Sequence, residues 1–353
     1  MSKARDAARD DEWRARRTAA YRSLGLRGAD IDLDGGLRLG RVSIVHGSRA
    51  NVIWFDDVGG DVETSSHVAP GLRSRLVAGD WVGLRDGQIV SVLERHSELR
   101  RPDPRRPDVQ VLASNVDLVL LVLAIDRGLN DRLLERFAVM AWDSGARPFV
   151  ILTKADHAID TAETEQRVRS LVPGVELLTT SSHSGQGIER LRALLRHGVT
   201  AVMLGASGAG KTSLLNALEG TSELTRAVRR SGDGRHATST RRLYRLSHGG
   251  VLLDIPGIRL VDLAGQSGID ETFTDIEMIA DRCRFRNCSH RGDDGCAVES
   301  ALAAGVLAAT RLASWRRIQA ELAVRPRAAN QRTRRPRTDW AEDQRRPPQD
   351  EPA

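Results

Sequence analysis

Cysteine, aromatic residues and long apolar runs are all scarce in this 353-residue chain, and each shortage narrows what it can be. The three cysteines, Cys283, Cys288 and Cys296, fall within fourteen residues beside His290. An odd, tightly spaced set suits a metal site in a reducing compartment and excludes a disulfide framework. The longest apolar run, "LVLLVLAI" from Leu118 to Ile125, is far short of the roughly 20 residues that span a bilayer. No membrane partner is expected. The N-terminus "MSKARDAARDDEWRARR" has no apolar stretch of secretory type, so a cytoplasmic location is expected. Aromatics make up 4% of the chain, leaving few platforms for stacking bases. Lysine is also scarce. Arginine replaces it and clusters at "LRRPDPRRPD", "RAVRRSGDGRH" and "QRTRRPRTDW", giving a formal charge of +6 and a pI near 9.8. Such clusters suit phosphate-rich partners, and an arginine-rich composition alone gives the same count.

The length accommodates two or three domains. Residues 1–36 read as a charged, mobile extension in which "AAYRSLGL" forms one amphipathic helix. Over 37–97 come five short β-like runs, "RVSIVHG", "NVIWFD", "DVETSSHV", "DWVGLRDG" and "IVSVLER", divided by glycine-rich turns. That pattern predicts a small closed barrel of OB or SH3-like type. "SELRRPDPRRPD" reads as a linker over 98–110, because each proline removes a ladder donor. Within 111–265, apolar runs at 118–125, 149–152, 175–179, 199–204 and 251–253 alternate with helical patterns. An α/β domain with a buried parallel sheet follows. Residues 266–324 are helical around the cysteine cluster, and 325–353 form a polar, basic tail expected to be disordered.

The segment Gly205-Ala206-Ser207-Gly208-Ala209-Gly210-Lys211-Thr212, followed by Ser213, fits the P-loop pattern and succeeds the apolar run "VTAVML". Its backbone amides can wrap phosphates, Lys211 can neutralise the β and γ oxygens, and Thr212 can ligate magnesium. In "VLLDIPG", Asp254 ends a predicted strand and Gly257 stands three residues on, where a carboxylate reaches the magnesium shell and a glycine amide senses the γ-phosphate. Thr153-Lys154-Ala155-Asp156 follows another strand. Asp156 can accept from the N1–H and 2-amino group of guanine, and Lys154 can lay its stem over the base. Thr153 stands where an asparagine amide usually braces the P-loop, so a weaker brace is expected. Ser181 and Ser182 of "TTSSHSGQG" can support the guanine edge. GTP is favoured over ATP. Cys283, Cys288, His290 and Cys296 match a closed Cys₃His zinc site of structural type.

The base-reading motif precedes the phosphate motif, the order of a circularly permuted GTPase, and permutation of this kind preserves the sheet because domain termini lie close together. With the barrel, "RRPDPRRPDVQVLASNVD", these permuted motifs and the C-x₄-C-x-H-x₅-C cluster, the chain from about 37 to 320 resembles the ribosome small subunit-dependent GTPases, the RsgA or YjeQ family. The resemblance implies an OB-fold barrel, a permuted P-loop GTPase domain and a helical zinc domain, acting as a monomer on the small ribosomal subunit and its rRNA during late maturation, with hydrolysis stimulated by that subunit. It also aligns "GRHATST" with the family's switch, making Thr238 the magnesium-sensing threonine, with Thr240 as the fallback, and His236 a candidate for orienting water or for docking rRNA. Ala237 and Ser239 depart from the family's threonines there. Ile258 occupies the place where many GTPases carry a water-positioning glutamine. Two rival classes remain at this point. One is an RNA-binding module that holds nucleotide without turnover; the other is a P-loop kinase or ATPase, against which the Asp156 and serine motifs argue.

Overall fold

The computed structural model describes residues 18–27, 37–56, 60–73, 76–103, 109–220, 241–254, 263–265 and 267–323. Thr238, Thr240, His236, Gly257 and the 325–353 tail lie outside them. Strands β1 (Arg38–His46), β2 (Arg49–Phe55), β3 (Asp61–Val68), β4 (Trp81–Arg85) and β5 (Gln88–Val92) form the barrel. Their order is β1-β2-β3-β5-β4, and β4 pairs back onto β1 to close it. This is the OB-type closure, filled by Val42, Val52, Val68, Val82, Leu84 and Ile89.

The parallel sheet consists of β10 (Glu176–Thr179), β9 (Arg147–Thr153), β8 (Leu118–Ala124), β11 (Thr200–Leu204) and β13 (Val251–Asp254). Along β8, Leu118, Leu120 and Val122 enter one core and Val119, Leu121 and Leu123 the other. Burial on both faces explains why the run is apolar throughout rather than alternating. Helices Ile188–Leu194 and Lys211–Glu219 cover one face; helix Asp131–Asp143 covers the other, capped by Asn130 accepting from Leu133 N.

Several expectations are revised. A strand absent from the sequence reading, β12 (Arg242–Arg245), pairs antiparallel with β13 on one side and meets barrel strand β1 on the other, at Ile44 opposite Arg242. Barrel and parallel sheet therefore belong to one eleven-stranded sheet. The expected linker 98–110 instead contains a hairpin of β6 (Glu98–Pro102) and β7 (Val109–Ser114). Pro102 sits at the strand end, where a missing donor costs least. The extension, expected to be mobile, is packed over 18–27: Tyr21 and Leu24 are buried, and Tyr21 Oη donates to Leu39 O at 2.7 Å. Its apolar residues outweighed the charged composition around them.

Helices Ser267–Thr272, Thr274–Ala280, Ala297–Ala303 and Ala309–Ala323 carry the cysteine region. Ile269, Phe273, Ile276, Leu312, Trp315 and Ile318 join the same core as Leu134 and Phe137. The region thus covers the sheet together with helix Asp131–Asp143. Contact is close enough that a Cβ on Gly268 would lie 2.1 Å from Val139 O.

Candidate nucleotide and metal sites

Parallel topology brings the C-terminal ends of β8, β9, β11 and β13 to one edge, where open α/β sheets bind ligands. The P-loop leaves β11 there. Gly208 and Gly210 have φ of +77° and +90°, a region that favours glycine and bends the loop's amides inward. Thr153, buried at the end of β9, places Oγ1 2.7 Å from Ala209 O and 3.2 Å from Leu123 O. The hydroxyl's one hydrogen serves the shorter contact best, so the brace expected to be weak is made by hydroxyl to carbonyl.

Lys154 follows with a left-handed φ of 61°, and its Nζ pairs with Asp126 at 2.8 Å. Ala155 N donates to Thr180 O at 3.1 Å, tying the base-reading turn to the serine loop. Ser181 is fully buried; its Oγ donates to Asp156 Oδ1 and accepts from the amides of His183 and Ser184. That hydroxyl holds the Asp156 carboxyl below the ordinary aspartate range. Ser182 is half-buried beside it.

At the other end, Lys211 Nζ lies 2.7 Å from Gly205 O and 2.9 Å from Ala206 O. Burial pushes the Lys211 pKa down and the Asp254 pKa up, and each charge opposes the other's shift. An anionic ligand arriving beside Lys211 favours the ammonium that burial disfavours. Thr212 and Ser213 are exposed on the first turn of helix Lys211–Glu219. The sequence reading missed Asp126 and Arg127, which follow β8 in a 3-10 turn, Ile125–Arg127. An acid and a base directly after a buried strand were the available signal.

The ligand atoms of Cys283, Cys288, His290 and Cys296 all lie within 4.8 Å of one another. Cys283 Sγ and Cys296 Sγ stand 3.5 and 3.6 Å from His290 Nδ1. Tetrahedral zinc with bonds of about 2.3 Å to sulfur and 2.0–2.1 Å to nitrogen requires S···N edges of about 3.5 Å, so the donor set fits such a metal. The amides of Ala297 and Glu299 donate to the Cys283 and Cys296 sulfurs, orienting them toward the cluster.

The family model described as RsgA GTPase matches residues 92–264. A Streptomyces coelicolor protein named "Small ribosomal subunit biogenesis GTPase RsgA" is 40% identical over 299 residues, 81% of each chain. A Lactiplantibacillus plantarum protein named "Small ribosomal subunit biogenesis GTPase RsgA 2" is 33% identical over 83% of this chain and 86% of its own. Among solved structures, YjeQ from Thermotoga maritima covers 82% of this chain and 100% of its own, with a TM-score of 0.62 and 25% identity. YloQ, titled a circularly permuted GTPase, has a TM-score of 0.60 over 84% of this chain and 99% of its own at 23% identity, a likeness of fold.

Proposed function

The chain belongs to the RsgA GTPase family, and from that premise we propose that it hydrolyses GTP to GDP and phosphate while assisting late maturation of the small ribosomal subunit. The observation that carries the reading is the common sheet edge: Asp156, bonded to Ser181, follows β9 for the base, while Lys211 follows β11 and Asp254 ends β13 for the phosphates. Asp156 accepts from guanine N1–H and the 2-amino group, while Ser181 keeps the carboxylate charged and aimed; Ser182 lines the same edge. Lys154 covers the base, and Thr153 and Ala155 hold that turn to its neighbours. The amides of Gly205 to Ser213 and the Lys211 ammonium receive the phosphates.

Magnesium, held by Thr212 and Asp254, offsets phosphate charge when bound. Gly257 senses the γ-phosphate, Thr238 completes the switch, and His236 orients the water. Zinc on Cys283, Cys288, His290 and Cys296 is structural, because a closed donor set leaves no open position. Arginine clusters meet rRNA phosphates, so binding weakens with salt. The protein acts as a cytoplasmic monomer, and no helix among the described residues is long and apolar enough to cross a membrane.

Lys211→Ala should abolish hydrolysis, since it removes the cation over the β and γ oxygens. Cosedimentation with separated ribosomal subunits under GTP, GDP and a non-hydrolysable analogue, alongside turnover, tests both halves. Near-normal turnover in this variant, or no preference for the small subunit, would sink the reading.

A further inference from the structure

Arg127 belongs to none of the sequence motifs, yet it touches the P-loop. Its Nη1 donates to Ser207 O at 3.2 Å, and a Cβ on Gly208 would lie 2.7 Å from its Nη2. The preceding residue, Asp126, carries Lys154 at 2.8 Å, so one short turn reaches both the base end and the phosphate end of the site. Asn130 caps helix Asp131–Asp143 three residues on, with Oδ1 accepting from Leu133 N at 3.1 Å. The turn is thereby fixed to a rigid element. Ser207 O engages one of the guanidinium's five N–H donors. Ser207 and Gly208 lie in the bend whose amides face the β and γ phosphates in a P-loop. In P-loop hydrolases an arginine supplied in cis or in trans stabilises transition-state charge, a role separate from orienting the water.

We infer that Arg127 is a further catalytic residue, an arginine supplied in cis whose guanidinium bridges β- and γ-phosphate oxygens as GTP is hydrolysed. This rests on the GTP hydrolase reading above. In the step, water oxygen bonds to the γ-phosphorus as the bond to the β–γ bridging oxygen breaks. The electron pair of that bond stays on the bridging oxygen, which becomes a terminal β-phosphate oxygen of GDP. The water's protons leave with inorganic phosphate and solvent. Arg127 transfers no proton; it stays charged and offsets the negative charge that grows on the bridging oxygen.

The test uses the full chain as wild type, R127A, R127K and the surface control R132A, whose side chain is exposed on the following helix. Single-turnover GTP hydrolysis is measured with and without small ribosomal subunits, and affinities are measured for GDP and for GDP with aluminium fluoride. R127A should lose about 100-fold or more in hydrolysis, the magnitude seen when one preorganised donor to a developing oxyanion is removed. Its GDP affinity should stay within about threefold of wild type, because the contact forms chiefly in the transition state. Aluminium fluoride should cease to tighten GDP binding in that variant. R127K should regain less than about tenfold, since a point charge replaces a planar fork. R132A should behave as wild type. Hydrolysis by R127A within about threefold of wild type would overturn the inference. So would a parallel loss of GDP affinity and hydrolysis, which would make Arg127 a brace for the loop. A wild-type chain that hydrolyses no GTP sinks the parent reading first, and this one with it.

Discussion

Two buried arginines join the flanking regions to the nucleotide-binding sheet, and they do so with opposite chemistry. Arg41 of β1 is fully buried and bonds to neutral groups: Thr200 Oγ1 at 2.9 Å, Asn115 O at 3.0 Å, Gly79 O at 3.3 Å and Leu24 O. Burial without a contact carboxylate lowers its pKa to about 10, with Asp117 and Asp80 opposing the shift from a distance. Arg311 of helix Ala309–Ala323 instead grips Asp275 with two nitrogens at 2.8 and 3.0 Å, and reaches Glu135 at 3.3 Å. It also bonds Leu171 O and Thr272 O at 2.7 Å each, and lies 4.1 Å from the Phe273 ring centroid. The first joint is built on backbone carbonyls, which cannot move without moving strands. The second adds side-chain ion pairs to its two carbonyl contacts, and Asp275 keeps a third of its side chain in solvent. A joint of that kind can open while both sides remain folded.

The largest effect should separate the two joints outright. Cys288→Ser, or chelation of the wild type, should remove the metal and loosen residues 267–323, since the binding free energy of a structural zinc, roughly 10–16 kcal/mol in isolated fingers, is folding free energy. Metal analysis and hydrogen exchange should report loss on the Arg311 side, with the barrel junction unchanged. GTP affinity should survive and subunit-stimulated hydrolysis should fall. Equal loosening of residues 18–27 would break the distinction.

Arg41→Ala comes next. Four acceptors lose their donor in a dry junction, which should cost about 4 kcal/mol in urea unfolding, independent of salt. Arg311→Ala should cost somewhat less, about 3 kcal/mol, and in the wild type this joint should weaken as ionic strength rises because Asp275 is partly screened. Proteolysis or exchange at helix Ala309–Ala323 across a salt series would show it. If the Arg41 junction loosens with salt equally, the carbonyl-versus-carboxylate argument is wrong.

All five barrel strands were legible because each alternates or ends at a glycine turn, and the parallel strands because both faces are apolar. β12 was not, since Leu243 and Tyr244 are consecutive buried residues among arginines and carry no period of two. The β6–β7 hairpin was hidden by prolines that turned out to bound its strands rather than prevent them. The helix carrying Tyr21 was legible in "AAYRSLGL", but its docking was not, because Tyr21 and Leu24 alone do not specify the surface they pack on. At the candidate site, P-loop, Asp156, Ser181 and the metal cluster could be read because fixed spacing encodes their chemistry. Asp126 and Arg127 were marked only by following a buried strand, and their roles depend on β8 lying next to both β9 and β11, a fact of topology rather than spacing.

The continuous sheet also settles where a stranger strand could attach. β1 gives Arg38–Arg41 to β4 and Ile44 to β12, so the barrel's seam and the parallel sheet's end cover one another. In this eleven-stranded sheet the order leaves one open flank, at β10. That strand is four residues long and begins with exposed Glu176, whose carboxylate is paired to Arg147. A short, charged flank is a poor template for strand addition. Among the described residues, this eleven-stranded sheet thus offers almost no flank from which cross-β growth could start.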